Sequence, residues 1–300
     1  MKAMLAAVIL TCLSGIFGYS QSEIPHYGAK LPVRIHFIPK PDTYRQLKKE
    51  MKEKLGETAD AEIIDITSSA IEYLPGRTIR KFRKVGSIGL TMPSLKVLPR
   101  QLGKMKKLSV LRLECSASLK LPSRFRKLSL SRLQFICTDS AESTSVSAVR
   151  KYNKLKGLEI NAVTFGAFPE WIYEMDALEY LGLVHGNLTE IPTSINKMKG
   201  LKTIQFGKNA LIALPKEFGE LKLLAYVDLS NNNFAEFPVV LLELTELYDI
   251  DLSGNKIKTI PENITVLRKL ISLDLRNNPI SVEEQERIRQ LLPDVRVYFN

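Results

Sequence analysis

Residues 247–269 read LYDIDLSGNKIKTIPENITVLRK, and residues 224–246 read LAYVDLSNNNFAEFPVVLLELTE. Large apolar residues occupy positions 1, 4, 6, 11, 14, 18 and 21 of both stretches, with Asn at position 9 and Pro at position 15. The same register begins at Leu155, Leu178, Leu201, Leu224, Leu247 and Leu270. A fixed period of this length is typical of stacked supersecondary units, each of which buries its apolar face against its neighbours. The pattern therefore predicts a solenoid.

The motif L-x-x-L-x-L-x-x-N-x-L in these units resembles that of the leucine-rich repeat family. Looser copies begin at Leu130, Leu108, Val85 and Ala61, so the resemblance covers about residues 61–280, as about ten units spaced 22 to 25 residues apart. It implies an α/β fold, a right-handed curved horseshoe with a parallel β-sheet on the concave face and short helices or irregular turns on the convex face. The Leu-Pro or Ile-Pro step is similar to that of bacterial secreted leucine-rich proteins and to that of cytoplasmic Ras-suppressor scaffolds.

Residues 1–20 have the form of a cleavable secretory signal. Lys2 precedes an apolar run from Ala3 to Phe17, and small residues precede a cleavage point before Gln21. The run is too short for a comfortable membrane span, and no later stretch is apolar enough to be one. We therefore expect an exported protein that is not transmembrane, in the periplasm, on the cell surface or in the medium.

Both ends of the repeat array predict a covering element, because an open end would expose the interior of the terminal unit. In residues 21–60, a strand is expected at 33–38 and a helix from the capping box of Thr43 and Gln46. In residues 281–300, a second capping box at Ser281 and Glu284 predicts a helix, followed by a last strand. The spacing stretches to 25 residues near 138–147, where we expect the repeat to be least regular.

Two cysteines remain after the signal, Cys115 and Cys137. They occupy equivalent places in neighbouring units, and adjacent strands lie ~4.8 Å apart. That spacing suits a disulfide, whose Cα atoms are roughly 4.4–6.8 Å apart. Export would permit oxidation, so the pair is either a disulfide or two stacked buried thiols.

The sequence argues against an enzyme. His185 is far in sequence from the other two histidines, and no phosphate-binding glycine loop, zinc-ligand cluster or nucleophile elbow is present. Asp228, Asp251 and Asp274 share position 5 of successive units and form a column of carboxylates. Such a column would raise the pKa of its members or hold calcium, but aspartate at this repeat position is usually solvated. We predict no catalytic residue, no metal and no cofactor.

The concave face is the better candidate for function, since aromatic side chains on a rigid sheet are enriched in binding hot spots. The alternative is that tyrosine simply suits exposed strand positions. The candidate partner-binding residues are Tyr180, His185, Tyr226, Asp228, Tyr248, Asp249, Asp251, Asp274 and Arg276.

Charge provides a second candidate surface. The chain has 43 Lys and Arg against 32 Asp and Glu, a net charge of +11. Residues 95–160 alone hold fifteen Lys or Arg against four Asp or Glu, a surplus equal to that of the whole chain. The basic patch consists of Lys104, Lys106, Lys107, Arg124, Arg126, Lys127, Arg150, Lys151 and Lys154. It is either a solvated outer face or a docking surface for an acidic partner, anionic lipid or polyanionic glycan. Nucleic acid is not expected, because the patch lacks interleaved aromatic residues.

The sequence thus predicts a secreted, non-catalytic module that recognises a protein through the concave face. The alternative is a cell-envelope component that binds surface polysaccharide or anionic lipid through the basic patch. The identity of the partner cannot be read from the repeats, because they hold the scaffold constant while the solvent-facing residues vary.

Overall fold

The computed structural model describes residues 34–36, 43–57, 62–82, 84–116, 119–122, 125, 128–142, 149–150, 152 and 154–300. These residues form one sheet of twelve parallel strands, whose spatial order is their order in the chain. The strands are β1 Arg34–His36, β2 Ile63–Thr67, β3 Ser87–Thr91, β4 Val110–Cys115, β5 Arg132–Glu142, β6 Gly157–Thr164, β7 Tyr180–Val184, β8 Thr203–Gln205, β9 Tyr226–Asp228, β10 Asp249–Asp251, β11 Ser272–Asp274 and β12 Arg296–Tyr298. The predicted leucine-rich repeat solenoid is confirmed.

The register between strands reproduces the sequence period. Tyr180 pairs with Thr203, Thr203 with Tyr226, Tyr226 with Asp249, and Asp249 with Ser272, each 23 residues further along the chain. Positions 4 and 6 of each unit point into the body, so their side chains stack from coil to coil. All of these residues belong to one continuous buried core. Each large apolar side chain in it contributes roughly 1.5–3 kcal/mol by leaving water.

Short helical turns form the convex side of the solenoid. From residue 169 onward each turn follows a proline (Pro169, Pro192, Pro215, Pro238 or Pro261), whose fixed φ suits the start of a helix. The helices are α1 Tyr44–Glu57, α2 Gly76–Ile79 and α3 Val282–Leu291, and the 3-10 turns are Leu102–Lys104, Glu170–Glu174, Thr193–Lys197, Lys216–Glu220, Val239–Glu243 and Glu262–Val266.

An asparagine ladder closes the bend after each strand in the C-terminal half. The Asn232 amide donates to the carbonyl oxygens of Phe206 and Leu229, both at 3.0 Å, and its oxygen accepts from the Leu211 N–H at 3.0 Å. The Asn255 side chain makes the same three contacts one unit later, again with its own coil and with the preceding one. Each side chain thus satisfies backbone groups that the turn would otherwise bury without partners.

Both ends carry the predicted helices. Thr43 and Gln46 form the expected reciprocal capping box, with the Gln46 N–H donating to Thr43 Oγ1 at 3.2 Å and the Thr43 N–H to Gln46 Oε1 at 3.0 Å. Leu47 and Met51 of α1 are fully buried. At the other end Ser281 Oγ accepts from the Glu284 N–H at 3.3 Å, and α3 begins there. The proposed signal, residues 1–20, lies outside the described residues.

The pairing of β5 with β6 is the least regular part of the sheet. Its register shifts between Ile136 and Ala141, whereas the neighbouring pair of β6 with β7 has no shift. The shift falls in the unit whose sequence spacing stretches to 25 residues. Its offset changes from 25, where Ile136 pairs with Asn161, to 22, where Ala141 pairs with Val163, so β5 holds three more residues than β6 across the shift.

Candidate functional site

The concave face consists of the strand side chains that alternate with the buried ones. Gly182, for example, lies between the buried Leu181 and Leu183 in β7 and belongs to this face. One side chain per coil occupies position 5, so these residues form a column across the sheet. In order along the sheet the column reads Arg112, Gln134, Glu159, Gly182, Gln205, Asp228, Asp251 and Asp274.

The N-terminal part of this column is a continuous hydrogen-bonded network. Arg112 Nε donates to Gln134 Oε1 at 2.6 Å, and Gln134 Nε2 donates to Glu159 Oε1 at 2.9 Å. The other Glu159 oxygen, Oε2, lies 3.0 Å from the Tyr180 hydroxyl. Four neighbouring coils are therefore linked by charge-assisted bonds, which hold these side chains in one arrangement.

Tyr180 fills the gap that Gly182 leaves in the column. A Cβ at residue 182 would lie 3.2 Å from the Tyr180 hydroxyl oxygen and 2.9 Å from Glu159 Cγ, so the glycine makes room for the phenol. The hydroxyl also lies 2.5 Å from Gln205 Oε1. A hydroxyl has one proton, so it donates to the Glu159 carboxylate while the Gln205 amide, turned over, donates to it.

The surroundings of Tyr180 favour its neutral form. Burial, followed by the nearby Glu159 carboxylate, raises the pKa of Tyr180 well above its usual value. The Arg132 guanidinium opposes this rise and lies 5.3 Å from the centroid of the Tyr180 ring, within the distance for a cation–π contact. Tyr180 is thus a fixed aromatic platform whose hydroxyl is already satisfied within the chain.

The C-terminal part of the column is acidic. Asp228 Oδ1 accepts from the Ser230 N–H and Asp251 Oδ1 from the Ser253 N–H, both at 2.9 Å. Burial raises the pKa of the Asp228 carboxyl, and the nearby Asp249 adds to the rise. Burial and the neighbouring Asp228 carboxylate together raise the pKa of Asp251 to about 6. The structure thus brings Asp228 and Asp251 together on adjacent strands, as the shared repeat position predicts.

Arg276 lies at the end of the acidic part. Its guanidinium Nε is 3.0 Å from both carboxylate oxygens of Asp274, and the backbone N–H of Arg276 donates to Asp274 Oδ1 at 3.0 Å. The guanidinium also lies 5.7 Å from the centroid of the Tyr298 ring in β12. This ion pair gives Asp274 a cation, whereas the nearest charged neighbours of Asp251 in the column are carboxylates.

The other predicted concave residues are less closely grouped. Tyr226 and Asp249 pair directly at position 3, and Asp249 is buried. His185 follows the end of β7 with φ of 56°, and its side chain is exposed. Tyr248 precedes β10 and occupies position 2 of its unit, as Lys202 does two units earlier, so it lies at the edge of the sheet.

Five residues of the predicted basic patch lie in the described part of the chain, on its outer side. Lys104, Lys106, Lys107, Arg150 and Lys154 are all exposed and belong to connecting or convex segments. The other predicted members, Arg124, Arg126, Lys127 and Lys151, lie outside the described residues.

The two cysteines are brought together as predicted. Cys115 at the end of β4 pairs in register with Cys137 of β5, and both side chains are buried. No disulfide joins Cys115 to Cys137 in the structure, and the bond stays a prediction.

Within the residues that the structure describes, no group of three or more His, Cys, Asp or Glu side chains is placed to hold a metal ion. None of the helices in that part of the chain combines the length and the apolar character needed to cross a bilayer.

Sequence reasoning missed the polar network around Arg112, Gln134, Glu159 and Gln205. The signal was available, because all four stand at position 5 of their units, like the aspartates that were identified. Their types differ from coil to coil, so only the shared position, and not a repeated residue, could have revealed the column.

Comparison with known proteins agrees with this architecture. Residues 176–234 match the family model for the leucine rich repeat. Together with the sheet of twelve parallel strands, this match shows that the chain has the leucine-rich repeat fold. Proteins of this fold generally act as non-catalytic binding modules. No curated protein sequence matches the chain.

Solved structures with the same fold come from several kinds of organism. A leucine-rich repeat protein of Leptospira interrogans is 22% identical, with a TM-score of 0.53, over 82% of this chain and 80% of its own. An internalin of Listeria monocytogenes is 18% identical, with a TM-score of 0.58, over 81% and 68%. The ectodomain of the Arabidopsis thaliana receptor kinase GASSHO1/SCHENGEN3, in complex with CASPARIAN STRIP INTEGRITY FACTOR 2, is 20% identical, with a TM-score of 0.53, over 82% and 30%. At these identities the likeness concerns the fold.

Proposed function

We propose that the protein is an exported, non-catalytic recognition module that binds a protein partner through its concave face. The observation that supports this most is the contrast within the position-5 column. Its N-terminal half is internally satisfied, while burial and the neighbouring Asp228 and Asp274 carboxylates raise the pKa of Asp251 to about 6. A cationic group from a partner would relieve this repulsion, so the acidic half offers binding energy that the chain itself leaves unused.

The partner is expected to present a basic segment beside an apolar or aromatic group. Tyr226 lies beside Asp249 and one strand from Asp251, and Tyr180 lies two strands further along the sheet. Tyrosine rings held on a sheet contribute contact area at little entropic cost. The receptor ectodomain among the similar structures was solved in complex with another molecule named as a factor, which is consistent with a binding role for this fold.

Export is part of the same proposal and depends on residues 1–20. The mature protein, recovered from fractionated cells of its own organism, should begin at Gln21 and should be absent from the cytosol. A mature chain that retains Met1 would contradict this part while leaving the concave-face proposal standing.

The binding proposal is tested with a matched pair of double variants. Tyr226→Ala with Asp251→Asn alters the concave face, whereas Tyr73→Ala with Asp176→Asn makes the same changes at exposed positions elsewhere. Photo-crosslinking at position 203, between Tyr180 and Tyr226, identifies the bound protein, whose affinity for each purified variant is then titrated. An affinity at least tenfold lower in the concave variant alone supports the proposal, and equal affinities of the two variants contradict it.

A further inference from the structure

The edge of the sheet at β12 carries backbone groups that point away from the sheet. β12 is the last strand of the sheet that the described residues form. The Arg296 N–H donates to the Ile271 carbonyl oxygen at 2.9 Å, and the Tyr298 carbonyl oxygen accepts from the Leu275 N–H at 2.9 Å. Because alternate residues of a strand direct their N–H and C=O groups to opposite edges, those of Val297 point away from β11. The edge therefore offers a donor and an acceptor to a further strand.

The core is also incompletely covered at this end. Val297 pairs in register with Leu273, and the same register places Phe299 opposite Leu275. Leu273 and Leu275 are buried, whereas Val297 and Phe299 remain partly exposed. In a solenoid each coil is covered by the next one. One more layer would therefore complete the burial of Val297 and Phe299.

The contacts of α3 show which of its sides faces this end. The Ile260 N–H donates to Glu284 Oε1 at 2.9 Å, and the Arg287 guanidinium donates to the Ile260 carbonyl oxygen, so these two side chains face the preceding coil. Ile288 is fully buried in the core. With about 3.6 residues per turn, the side of α3 opposite Glu284 and Arg287 faces away from the preceding coil and toward the open end.

The end-facing side of α3 presents Val282, Glu286 and Arg289. All three are exposed, Val282 to 70%. The Arg289 guanidinium lies 4.9 Å from the centroid of the Phe299 ring, so this side adjoins the partly covered core. In the part of the chain that the structure describes, neither Glu286 nor Arg289 has an ion-pair partner. We call Val282, Glu286, Arg289, Val297 and Phe299 the C-terminal end face.

The C-terminal end face is complementary to a second copy of itself. It carries one acidic and one basic side chain, so it does not select a partner of one charge sign. A two-fold axis perpendicular to the sheet places β12 antiparallel to the β12 strand of a second copy and brings the two α3 helices side by side on the convex side. With the axis level with positions 287 and 288, Glu286 lies opposite the partner's Arg289 and Arg289 opposite the partner's Glu286. Helices pack about 8–10 Å apart and strands ~4.8 Å apart, so this pairing continues the curvature of the solenoid.

We propose that two copies of this chain associate through the C-terminal end face, with β12 added antiparallel to the partner's β12 and α3 packed beside the partner's α3. The assembly is closed at two copies, because both use the same surface. It leaves the two concave faces open on the same side of the dimer. The dimer therefore presents two recognition surfaces to one partner, and this consequence alone rests on the proposed concave-face function.

The test uses two opposite charge reversals in the whole protein. Glu286→Arg gives the C-terminal end face two cations and Arg289→Glu gives it two anions, so each variant repels a copy of itself. An equimolar mixture of the two variants restores both attractive contacts, because each cation of one variant meets an anion of the other. Arg100→Glu is the control, since it makes the same charge change at an exposed position in an N-terminal coil. Circular dichroism checks that each variant is folded.

Sedimentation equilibrium over a range of concentrations measures the dissociation constant of the dimer. We expect the wild type and Arg100→Glu to dimerise alike, each end-face variant alone to associate at least tenfold more weakly, and the mixture to recover the wild-type affinity. A wild type that stays monomeric at about 1 mM would overturn the proposal. Assemblies that grow beyond two copies, or a mixture that associates no more tightly than the single variants, would overturn it as well.

Amide hydrogen exchange tests the strand pairing separately. Exchange of the Val297 N–H should slow as the concentration of the wild type rises, because this group gains an acceptor in the dimer. In Arg289→Glu it should not slow over the same range. A wild-type dimer in which the exchange of Val297 is independent of concentration would overturn the pairing of the two β12 strands.

Discussion

Asp251→Asn should stabilise the protein at neutral pH. The substitution keeps an oxygen in place to accept the Ser253 N–H at 2.9 Å, but it removes the negative charge beside Asp228. The pKa of Asp251 is raised from 3.8 to about 6, a difference of about 2 units. At 1.36 kcal/mol for each unit, this corresponds to at most about 3 kcal/mol of unfavourable free energy in the folded state. Because the amide still loses some solvation, we expect a net gain of about 1–2 kcal/mol.

The pH dependence follows from the direction of the shift. The folded state binds the Asp251 proton more tightly than the unfolded chain does, so this residue makes stability fall as pH rises from about 4 to about 6. Above that range the folded form carries the full unfavourable free energy of the ionised Asp251 carboxylate. In Asp251→Asn this fall is absent. The variant should therefore melt about 3–6 °C above the wild type at pH 7.5, and the two should melt at nearly the same temperature at pH 4.

Thermal unfolding followed by circular dichroism and by the single tryptophan, Trp171, measures both proteins across this pH range. Asp176→Asn is the control, because it removes a carboxylate that is exposed, and it should show no gain that depends on pH. The reasoning is refuted if Asp251→Asn is no more stable than wild type at pH 7.5. It is also refuted if the difference is the same at pH 4, since the negative charge of Asp251 would then not be its cause.

Three further substitutions test the scaffold and the concave network. Asn232→Ala leaves buried backbone groups of two coils without their partners and should cost about 2–4 kcal/mol in urea unfolding, more than Asn209→Ala, because Asn209 is less buried. Gly182→Ala places a methyl group 3.2 Å from the Tyr180 hydroxyl, so a crystal structure of the variant should show the Tyr180 ring displaced. A melting temperature near the wild-type value would show that the solenoid tolerates this displacement. A Tyr180 ring in its original position would contradict the packing argument. Thr43→Ala removes the capping-box acceptor and should cost about 1 kcal/mol in thermal melts, unless α1 contributes nothing to the stability of the array.

The repeats could be predicted from sequence because the contacts between coils depend on a period and not on particular distant residues. Each leucine of a unit packs against its equivalent about 23 positions away, so the apolar pattern of Leu224–Leu247 already specifies which residues pack together. The capping boxes at Thr43 and Ser281 are equally local, since each needs only residues three apart. For the same reason the stretched spacing near 138–147 indicated where the strand register would shift.

The arrangement of the concave face could only partly be predicted. The period places Tyr180, Tyr226 and Asp228 on one side of the sheet, but it does not say that the Tyr180 hydroxyl reaches two neighbouring strands. That position depends on the missing side chain of Gly182 and on the lengths of Glu159 and Gln205. Tyr248 was grouped with the other tyrosines because position 2 adjoins the strand. The structure shows that this position lies at the edge of the sheet, where the chain enters from the convex side.

The constant 23-residue offset from β7 to β11 has a consequence for how such a chain can change its length. The strand pairings in this region join residues one period apart, so copying a whole unit, such as residues 224–246, would supply each neighbouring strand with the partner it already has. Gain of a single residue within a strand would instead turn its buried side chains toward solvent. The C-terminal half of this molecule can therefore grow by tandem duplication of DNA in multiples of sixty-nine bases, while shorter insertions are confined to the loops.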